Sequence, residues 1–247
     1  MIPSLDRFRT FVFDCDGVVL DSNELKTRVF HEVASRFGGA AAERLVDHHR
    51  AHGGVSRHEK FRWFVAEVLG RPRDAGLVDD LVDGFGRGVR RALEGCPTCP
   101  GAVEALARCA ELGPCFLVSG GLEEELRQVF RARGLDRHFR GIHGSPETKH
   151  RIMAGLATRG HLGGETVCFG DSRLDREVAR DFGCEFVFLA RCTEMADWKA
   201  WVESEAIDWG LDLAEVLAAQ RRDLRAEVAG GEPWGRSAGG SSSREMP

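Results

Sequence analysis

Residues 10–17 read Thr-Phe-Val-Phe-Asp-Cys-Asp-Gly. A short continuous apolar run is typical of a strand buried on both faces, as in a parallel sheet. Two carboxylates, those of Asp14 and Asp16, follow where this strand is predicted to end. Open α/β sheets bind their ligands at the carboxyl ends of the strands. The stretch therefore predicts a buried strand that delivers acidic side chains to a ligand site.

The same arrangement recurs further along the chain. Apolar strand patterns at 114–118, 140–144 and 166–169 each run into a polar stretch and then into a helical pattern, and another strand pattern lies at 185–189. Strands that alternate with helices indicate crossover units and a parallel sheet. We therefore predict an α/β fold with a Rossmann-like parallel sheet and helices on both faces. The polar residues expected to meet at one edge of this sheet are Asp14, Asp16, Ser119, Lys149, Asp171 and Asp175.

A helical insertion is predicted between the first two strands, because no strand pattern occurs from residue 21 to residue 95. Glycine-rich breaks separate short amphipathic stretches there, as expected between helices. The predicted helices cover 24–37, 41–52, 57–69 and 75–93. We interpret residues 19–95 as an all-helical cap domain carried by a catalytic core.

The core is predicted to consist of residues 1–18 and 96–215. Two C-terminal helices are expected, at 196–209 and 211–229. Residues 230–247 are rich in glycine and serine, which predicts a disordered tail.

Composition excludes several classes of partner. The 247 residues include 34 basic and 39 acidic side chains, for a net charge of −5, so no basic field favours nucleic acid or a membrane surface. No apolar stretch approaches the roughly 18–20 residues of a membrane span, and the N-terminus lacks a signal-like apolar core. We expect a cytoplasmic protein, either a monomer or a homodimer.

The eight cysteines do not resemble a disulfide scaffold in a chain of this length, and their use fits a reducing compartment. Cys96 and Cys99 have the spacing of a metal or redox pair. No second pair at ligand spacing accompanies them, so we interpret them as incidental.

Carboxylates gathered at one sheet edge must protonate, separate or hold a cation. Oxygen ligands favour Mg²⁺, which binds through one or two carboxylates together with a substrate phosphate. The candidate metal ligands are Asp14, Asp16, Asp171 and Asp175, with Asp14 and Asp171 preferred and a backbone carbonyl near Asp16 as a third donor. Asp175 alternatively caps a helix. A carboxylate at a strand end can also attack phosphorus, and a second one can protonate the leaving oxygen and then activate water.

Two further groups suit an anion. Ser119, with the backbone N–H groups of Gly120 and the next glycine, is predicted to open a helix N-terminus, which binds anions. Ser145 resembles an N-cap followed by Pro146, which places Lys149 in the first turn of a helix. The helix dipole disfavours a cation there, and a nearby phosphate would remove the conflict. Lys149 is therefore a candidate to neutralise charge on the phosphoryl oxygens.

These residues resemble the motifs of the haloacid dehalogenase-like hydrolase superfamily. Asp-Cys-Asp-Gly-Val-Val-Leu-Asp-Ser at 14–22 is similar to the first motif, Ser119 to the second, Lys149 to the third, and Gly-Asp-Ser-Arg-Leu-Asp at 170–175 to the fourth. All four occur in order between residues 9 and 190. The helical insertion resembles the small cap of the phosphoglycolate phosphatase and β-phosphoglucomutase branch.

The resemblance implies a magnesium-dependent phosphatase with Asp14 as nucleophile and Asp16 as acid and base. Its substrate would be a small phosphorylated metabolite, such as a sugar phosphate or phosphoglycolate-like ester. The dehalogenases of the superfamily lack the second aspartate, so Asp16 argues against dehalogenation. A sugar phosphomutase and a non-catalytic phosphate-binding module are the alternatives. The second is disfavoured because a binding module need not keep both carboxylates.

The cap offers candidates for binding the rest of the substrate. Ser56 and Glu59 form a capping-box pattern that places Arg57 and Lys60 in the first turns of a helix. We predict that Arg57 and Lys60 bind the non-reacting part of the substrate, whereas the alternative is a solvated helical face. The stretch 54–57 also resembles the cap loop of β-phosphoglucomutase, which keeps the mutase alternative open.

Overall fold

The computed structural model describes residues 2–220. Its core is a six-stranded parallel sheet in the order β3-β2-β1-β4-β5-β6, which confirms the predicted Rossmann-like sheet. The strands are β1 (Thr10–Phe13), β2 (Cys115–Leu122), β3 (Gly141–Ser145), β4 (Thr166–Gly170), β5 (Glu185–Leu189) and β6 (Asp208–Gly210). In the central pairs, Phe13 lies beside Leu117 of β2 and Phe169 of β4. The carboxyl ends of these strands are therefore level with one another.

Helices cover both faces of the sheet, as predicted. The core helices are α5 (Ala102–Leu112), α6 (Glu123–Ala132), α7 (Lys149–Thr158), α8 (Arg173–Asp181) and α9 (Trp198–Ser204), and residues 213–220 are also helical. Because side chains alternate along a strand, Phe11 and Phe13 pack with α5 and α6, whereas Val12 packs with α7 and α8.

Four helices are inserted between β1 and α5. They are α1 (Asn23–Ala34), α2 (Gly39–Ala51), α3 (Arg57–Trp63) and α4 (Ala75–Gly95). A π-helical turn, Phe64–Val68, extends α3. Phe30, Phe61 and Phe85 form the aromatic centre of this bundle, with ring centroids 4.2 to 6.0 Å apart. We propose residues 19–95 as the cap domain.

The two connections between cap and core run side by side. Leu20 forms one isolated bridge with Asp16 and another with Thr98. The carbonyl oxygen of Val19 accepts a hydrogen bond of 3.0 Å from Cys99 N. The outgoing and returning chains thus support each other where the cap leaves the sheet.

Three local predictions near helix starts and at the C-terminus are wrong. β2 continues to Leu122, so Ser119 and Gly120 lie in a strand rather than at the start of α6, because β2 pairs with β3 beyond a register shift. Ser145 ends β3, and the N-cap of α7 is Thr148, whose side chain accepts from Arg151 N. Residues 208–210 form β6 instead of extending a helix, since they pair with β5.

The predicted tail at 230–247 lies outside the described residues. Within residues 2–220, no helix combines the length and apolar character that crossing a membrane requires.

Candidate active site

Three carboxylates meet at the carboxyl edge of the sheet. Asp14 follows β1, Asp171 follows β4, and Asp175 lies in the first turn of α8. One oxygen from each lies within 4.8 Å of the others, and all three side chains are buried. The register brings them together, because β1 and β4 are neighbours and Asp14 N donates to Phe169 O at 2.9 Å. The structure thus brings together the residues expected to converge from two distant segments.

Two glycines make this close approach possible. Gly17 has a φ of +75°, and a Cβ atom on it would lie 2.2 Å from Asp171 Oδ2. A Cβ atom on Gly170 would lie 2.3 Å from Asp175 Cβ. Any larger residue at either position would therefore displace a carboxylate of the cluster.

Lys149 is the cation of this cluster. It is the first residue of α7, and its Nζ lies 2.9 Å from Asp14 Oδ1 and 2.5 Å from Asp175 Oδ1. Burial opposes its charge, but the two carboxylates outweigh burial and raise the pKa of Lys149 above its usual value. Lys149 is therefore an ammonium that bridges the end of β1 and the start of α8.

One ammonium does not balance the three carboxylates. Burial, partly offset by Lys149, raises the pKa of Asp14 to about 7. Burial and the neighbouring Asp14 raise the pKa of Asp171. Asp14 Oδ1 is close to Lys149 Nζ, yet the angles are not those of a hydrogen bond, so this buried oxygen accepts none from the described residues. The cluster is an oxygen-lined site with a deficit of positive charge, which a divalent cation would relieve.

Asp175 has a second role in local structure. Its Oδ2 accepts hydrogen bonds from Ser172 N at 3.2 Å and Ser172 Oγ at 2.6 Å, which completes a capping box at the start of α8. Asp175 is therefore both a helix-capping residue and a residue of the site, which were the two alternatives drawn from the sequence. Asp175 holds Lys149 from a position that the helix cap makes rigid.

Asp16 points away from the cluster of Asp14, Asp171 and Asp175. Ser22 Oγ donates to Asp16 Oδ1 at 2.5 Å, and Lys26 Nζ donates to Asp16 Oδ2 at 2.6 Å. Burial would raise the pKa of Asp16, but Lys26 and these hydrogen bonds outweigh it and hold the pKa below its usual value. The Asp16 carboxylate therefore binds side chains of the cap, Ser22 and Lys26, and only the backbone carbonyl of Asp16 remains a candidate metal ligand.

Two cap residues at the site, Lys26 and Asn23, escaped the sequence analysis, and Ser22 was included only as the last residue of the first motif. Lys26 and Ser22 are four positions apart, the spacing that places side chains on one helix face, and this was the available signal. Asn23 Nδ2 donates to Asp171 Oδ2 at 2.6 Å and to the Cys192 carbonyl at 2.8 Å. Nothing in its local sequence indicated that contact.

Ser119 and Gly120 lie beside the cluster at the bulged end of β2. Ser119 is fully buried, and its Oγ accepts a hydrogen bond of 3.0 Å from Gly121 N, which leaves the hydroxyl proton free to donate. A Cβ atom on Gly120 would lie 2.3 Å from Gly54 O of the cap. Gly120 therefore allows the cap loop to rest directly on the core.

A cavity of about 60 Å³ separates cap and core above the carboxylates. Asp14, Asp16, Asp171 and Gly120 line its core side, while Arg57 and Lys60 line its cap side. Each water needs roughly 10–15 Å³ of such space, so the cavity has room for a few waters or a small ligand group. The structure thus brings the predicted cap residues to the predicted catalytic residues.

Arg57 is not free in this cavity. Its Nη1 and Nη2 donate to the two carboxylate oxygens of Glu125 on α6, at 3.1 and 2.6 Å, and its guanidinium lies 4.7 Å from the centre of the Phe85 ring. The Arg57 and Glu125 side chains are only 4% and 6% exposed. Arg57 thus joins the cap to the core through a buried ion pair, a role that its sequence context did not predict.

This pair leads to a stability prediction. Arg57→Ala should lower the free energy of unfolding by about 3–5 kcal/mol, because it leaves Glu125 buried without its cation. Urea denaturation of the single variants and of Arg57→Met/Glu125→Met measures the coupling. The double variant should recover most of the loss, whereas additive losses would show that the two side chains do not interact.

Cys96 and Cys99 lie in the returning connection. Cys96 Sγ donates to Leu93 O, and Cys99 Sγ is 3.6 Å from Cys192 Sγ. Neither residue belongs to a metal-ligand cluster within residues 2–220.

Comparison with known proteins agrees with this geometry. The sequence profile of haloacid dehalogenase-like hydrolases matches residues 8–183. The chain belongs to this family. The matched residues include all four motifs quoted above, so the resemblance drawn from those motifs is confirmed. None of the curated proteins matches the chain significantly.

Solved structures share the fold at low sequence identity. A haloacid dehalogenase-like family protein from Streptococcus pneumoniae is 16% identical, with a TM-score of 0.62 over 86% of this chain and 98% of that one. β-Phosphoglucomutase from Clostridium difficile is 12% identical, with a TM-score of 0.65 over 89% and 99%. A predicted phosphoglycolate phosphatase from Haemophilus somnus is 19% identical, with a TM-score of 0.59 over 74% and 85%.

Proposed function

We propose that this hydrolase is a Mg²⁺-dependent phosphatase that acts on small phosphorylated metabolites through an aspartyl-phosphate on Asp14. The observation that carries the proposal is the buried group of Asp14, Asp171 and Asp175, whose oxygens lie within 4.8 Å of one another beside Lys149. The similarity to solved phosphatases and a phosphomutase supports the same class of chemistry.

The donor set fits magnesium. Asp14 and Asp171 would supply carboxylate oxygens, and the buried Asp14 Oδ1, which accepts no hydrogen bond from the described residues, suits a hard cation. Asp175 is occupied by Ser172 and Lys149, so we assign it to positioning. We propose the backbone carbonyl of Asp16 as a further ligand. When bound, Mg²⁺ would neutralise charge on the phosphate oxygens.

The first half of the reaction uses Asp14 as the nucleophile. An oxygen of Asp14 forms a bond to phosphorus while the ester P–O bond breaks, and Asp16 gives a proton to the leaving oxygen. Lys149 stabilises the charge on the phosphoryl oxygens, and the free hydroxyl proton of Ser119 is available to one of them. Both groups are buried, where such interactions are strongest.

The second half releases phosphate. Asp16 takes a proton from a water that attacks the phosphorus of the aspartyl-phosphate, and the P–O bond to Asp14 breaks to regenerate its carboxylate. Lys26 keeps Asp16 ionised in the free site, which is the form that accepts this proton. A phosphate dianion near Asp16 would raise its pKa and favour the protonated form that the first half requires.

Phosphate release from a panel of phosphorylated metabolites tests the proposal. We expect release in Mg²⁺ and a loss of at least about 100-fold when EDTA removes the metal, because one lost charge-stabilising group typically costs that much. Excess Mg²⁺ should restore the rate. No release from any phosphate ester would exclude a phosphatase, and isomerisation of a sugar phosphate without release would identify a mutase.

A further inference from the structure

The cap side of the cavity carries four cationic side chains, and three of them are paired. Lys26 contacts Asp16 at 2.6 Å, and Arg57 binds both oxygens of Glu125. The third, Arg50, is half exposed, and its Nε lies 3.7 Å from Glu194 Oε1. Lys60 differs from them: it is only 3% exposed, and within residues 2–220 its Nζ has hydrogen-bond contacts only with His49 and lies 5.6 Å from the centre of the Phe30 ring.

Lys60 and His49 lie side by side on neighbouring cap helices. Lys60 Nζ is 2.7 Å from His49 Nδ1 and 3.5 Å from the His49 carbonyl oxygen. The imidazole packs on the Phe30 ring, with centroids 4.5 Å apart. His49 is 7% exposed, and its Nε2 has no hydrogen-bond partner among the described residues; the nearest carboxylate oxygen, Glu194 Oε2, is 3.5 Å away. Both side chains line the cavity.

The contact between them determines which protons are available. When Lys60 is an ammonium it donates and cannot accept, so Nδ1 of His49 then accepts from Lys60 and the imidazole proton lies on Nε2. Burial and the charge of Lys60 lower the pKa of His49 to about 2, which keeps the ring neutral. Of the three ammonium protons of Lys60, two face His49 and one remains uncommitted. The pair therefore offers two hydrogen-bond donors and no acceptor.

We propose that Lys60 and His49 form an anion subsite in the cap, and that the preferred substrates are small phosphate monoesters whose leaving group carries a second anionic group. This inference rests on the proposed phosphatase function and deepens it by naming the substrate class. Arg57, the nearest in sequence of the other three cavity cations, cannot serve in the same way because Glu125 occupies both of its terminal nitrogens.

Burial and the cavity lining support the assignment. An ammonium with no ion-pair contact is costly to bury, and burial lowers the pKa of Lys60 to about 7 although the charges of Asp16 and Glu194 partly oppose the shift. An anion from the substrate would offset that cost at the moment of binding. Phe30 and Phe85 line the same cavity and suit a short carbon chain.

Matched substrates test the subsite. 3-Phosphoglycerate and glycerol 3-phosphate differ in a carboxylate against a hydroxymethyl group, as do 2-phosphoglycolate and 2-hydroxyethyl phosphate. We expect the unaltered protein to prefer the anionic member of each pair in kcat/KM. In Lys60→Met this preference should fall about 10- to 100-fold, mainly through KM, because a charge-assisted hydrogen bond is lost. Lys60→Arg should keep part of it.

A control variant with the same change in net charge distinguishes loss of the subsite from a general effect of the protein's charge. Lys199→Met removes one cation from the exposed surface of α9, so the preference should stay as it is in the unaltered protein. The proposal is overturned if the unaltered protein prefers the uncharged esters, or if Lys60→Met and Lys199→Met change the preference equally. Propane-1,3-diol bisphosphate distinguishes a phosphate from a carboxylate as the second anion.

Ligand binding to an inactive variant tests the anion subsite independently of the catalytic assignment. Thermal unfolding of Asp14→Asn should shift upward with 3-phosphoglycerate more than with glycerol 3-phosphate, and Asp14→Asn/Lys60→Met should lose that difference. If the unaltered protein released no phosphate from any ester, this shift would still support the subsite while the proposed function would be wrong. An equal shift with both ligands would overturn the subsite.

Discussion

Asp14→Asn should abolish turnover while the protein stays folded. The amide of asparagine is a poor nucleophile toward phosphorus, so the aspartyl-phosphate cannot form, and losses from removing a nucleophile reach roughly 10⁴- to 10⁶-fold. The substitution keeps the shape of the side chain and removes a carboxylate from a cluster with excess negative charge. We therefore expect unfolding at an equal or higher denaturant concentration than in the unaltered protein.

Phosphate release and urea denaturation together measure this outcome. Asp47→Asn, which changes the same chemical group on the exposed surface of α2, is the control and should keep full activity. An active Asp14→Asn variant would refute the nucleophile. An inactive variant that is also unfolded would show that Asp14 stabilises the fold, and inactivity would then say nothing about chemistry.

Asp16→Asn should slow both halves of the reaction by about 10²- to 10⁴-fold, the range of general acid–base catalysis. The loss in the first half should depend on the leaving group. p-Nitrophenolate leaves without a proton, whereas an alkoxide requires one, so the first half should suffer less with p-nitrophenyl phosphate than with an alkyl phosphate. Hydrolysis of the aspartyl-phosphate should be slowed equally after either substrate.

Rapid-quench measurement of the phosphorylated protein separates the two halves. The phosphorylated form of Asp16→Asn should accumulate with p-nitrophenyl phosphate, because its formation is affected less than its hydrolysis. Lys26→Met provides a comparison, since it removes the partner of Asp16 and keeps the carboxylate. Rates unchanged in Asp16→Asn would remove Asp16 as acid and base.

The convergence of Asp14 and Asp171 could be predicted from the sequence. Each follows an apolar run that is long enough for one buried strand, and parallel strands bring their carboxyl ends to one edge. Lys149 could be predicted as a site residue because its positive charge conflicts with the dipole at the start of a helix. The helix that carries it was predicted to begin three residues too early, yet Lys149 lies in the first turn in both cases because the N-cap is Thr148 rather than Ser145.

The partners of the long cap side chains could not be predicted. Arg57 and Lys60 are three positions apart on one helix, yet Arg57 is neutralised by Glu125 and Lys60 lies against His49. Glu125 belongs to α6 of the core, which is separated from Arg57 by 68 residues. No local pattern links a cap helix to a particular core helix, because the packing of one domain on the other decides their neighbours.

The sequence by itself determined the alternation of strands and helices from β1 to β5, the helical insertion and the carboxylates at the strand ends, since burial patterns and strand termini are local properties. Only the tertiary structure decided which charges remain unpaired. A flexible side chain such as that of Lys26 or Lys60 reaches several positions, and the seating of the cap on the sheet selects one. That selection turned Arg57 toward Glu125 and left Lys60 facing the cavity, where a substrate anion can reach it.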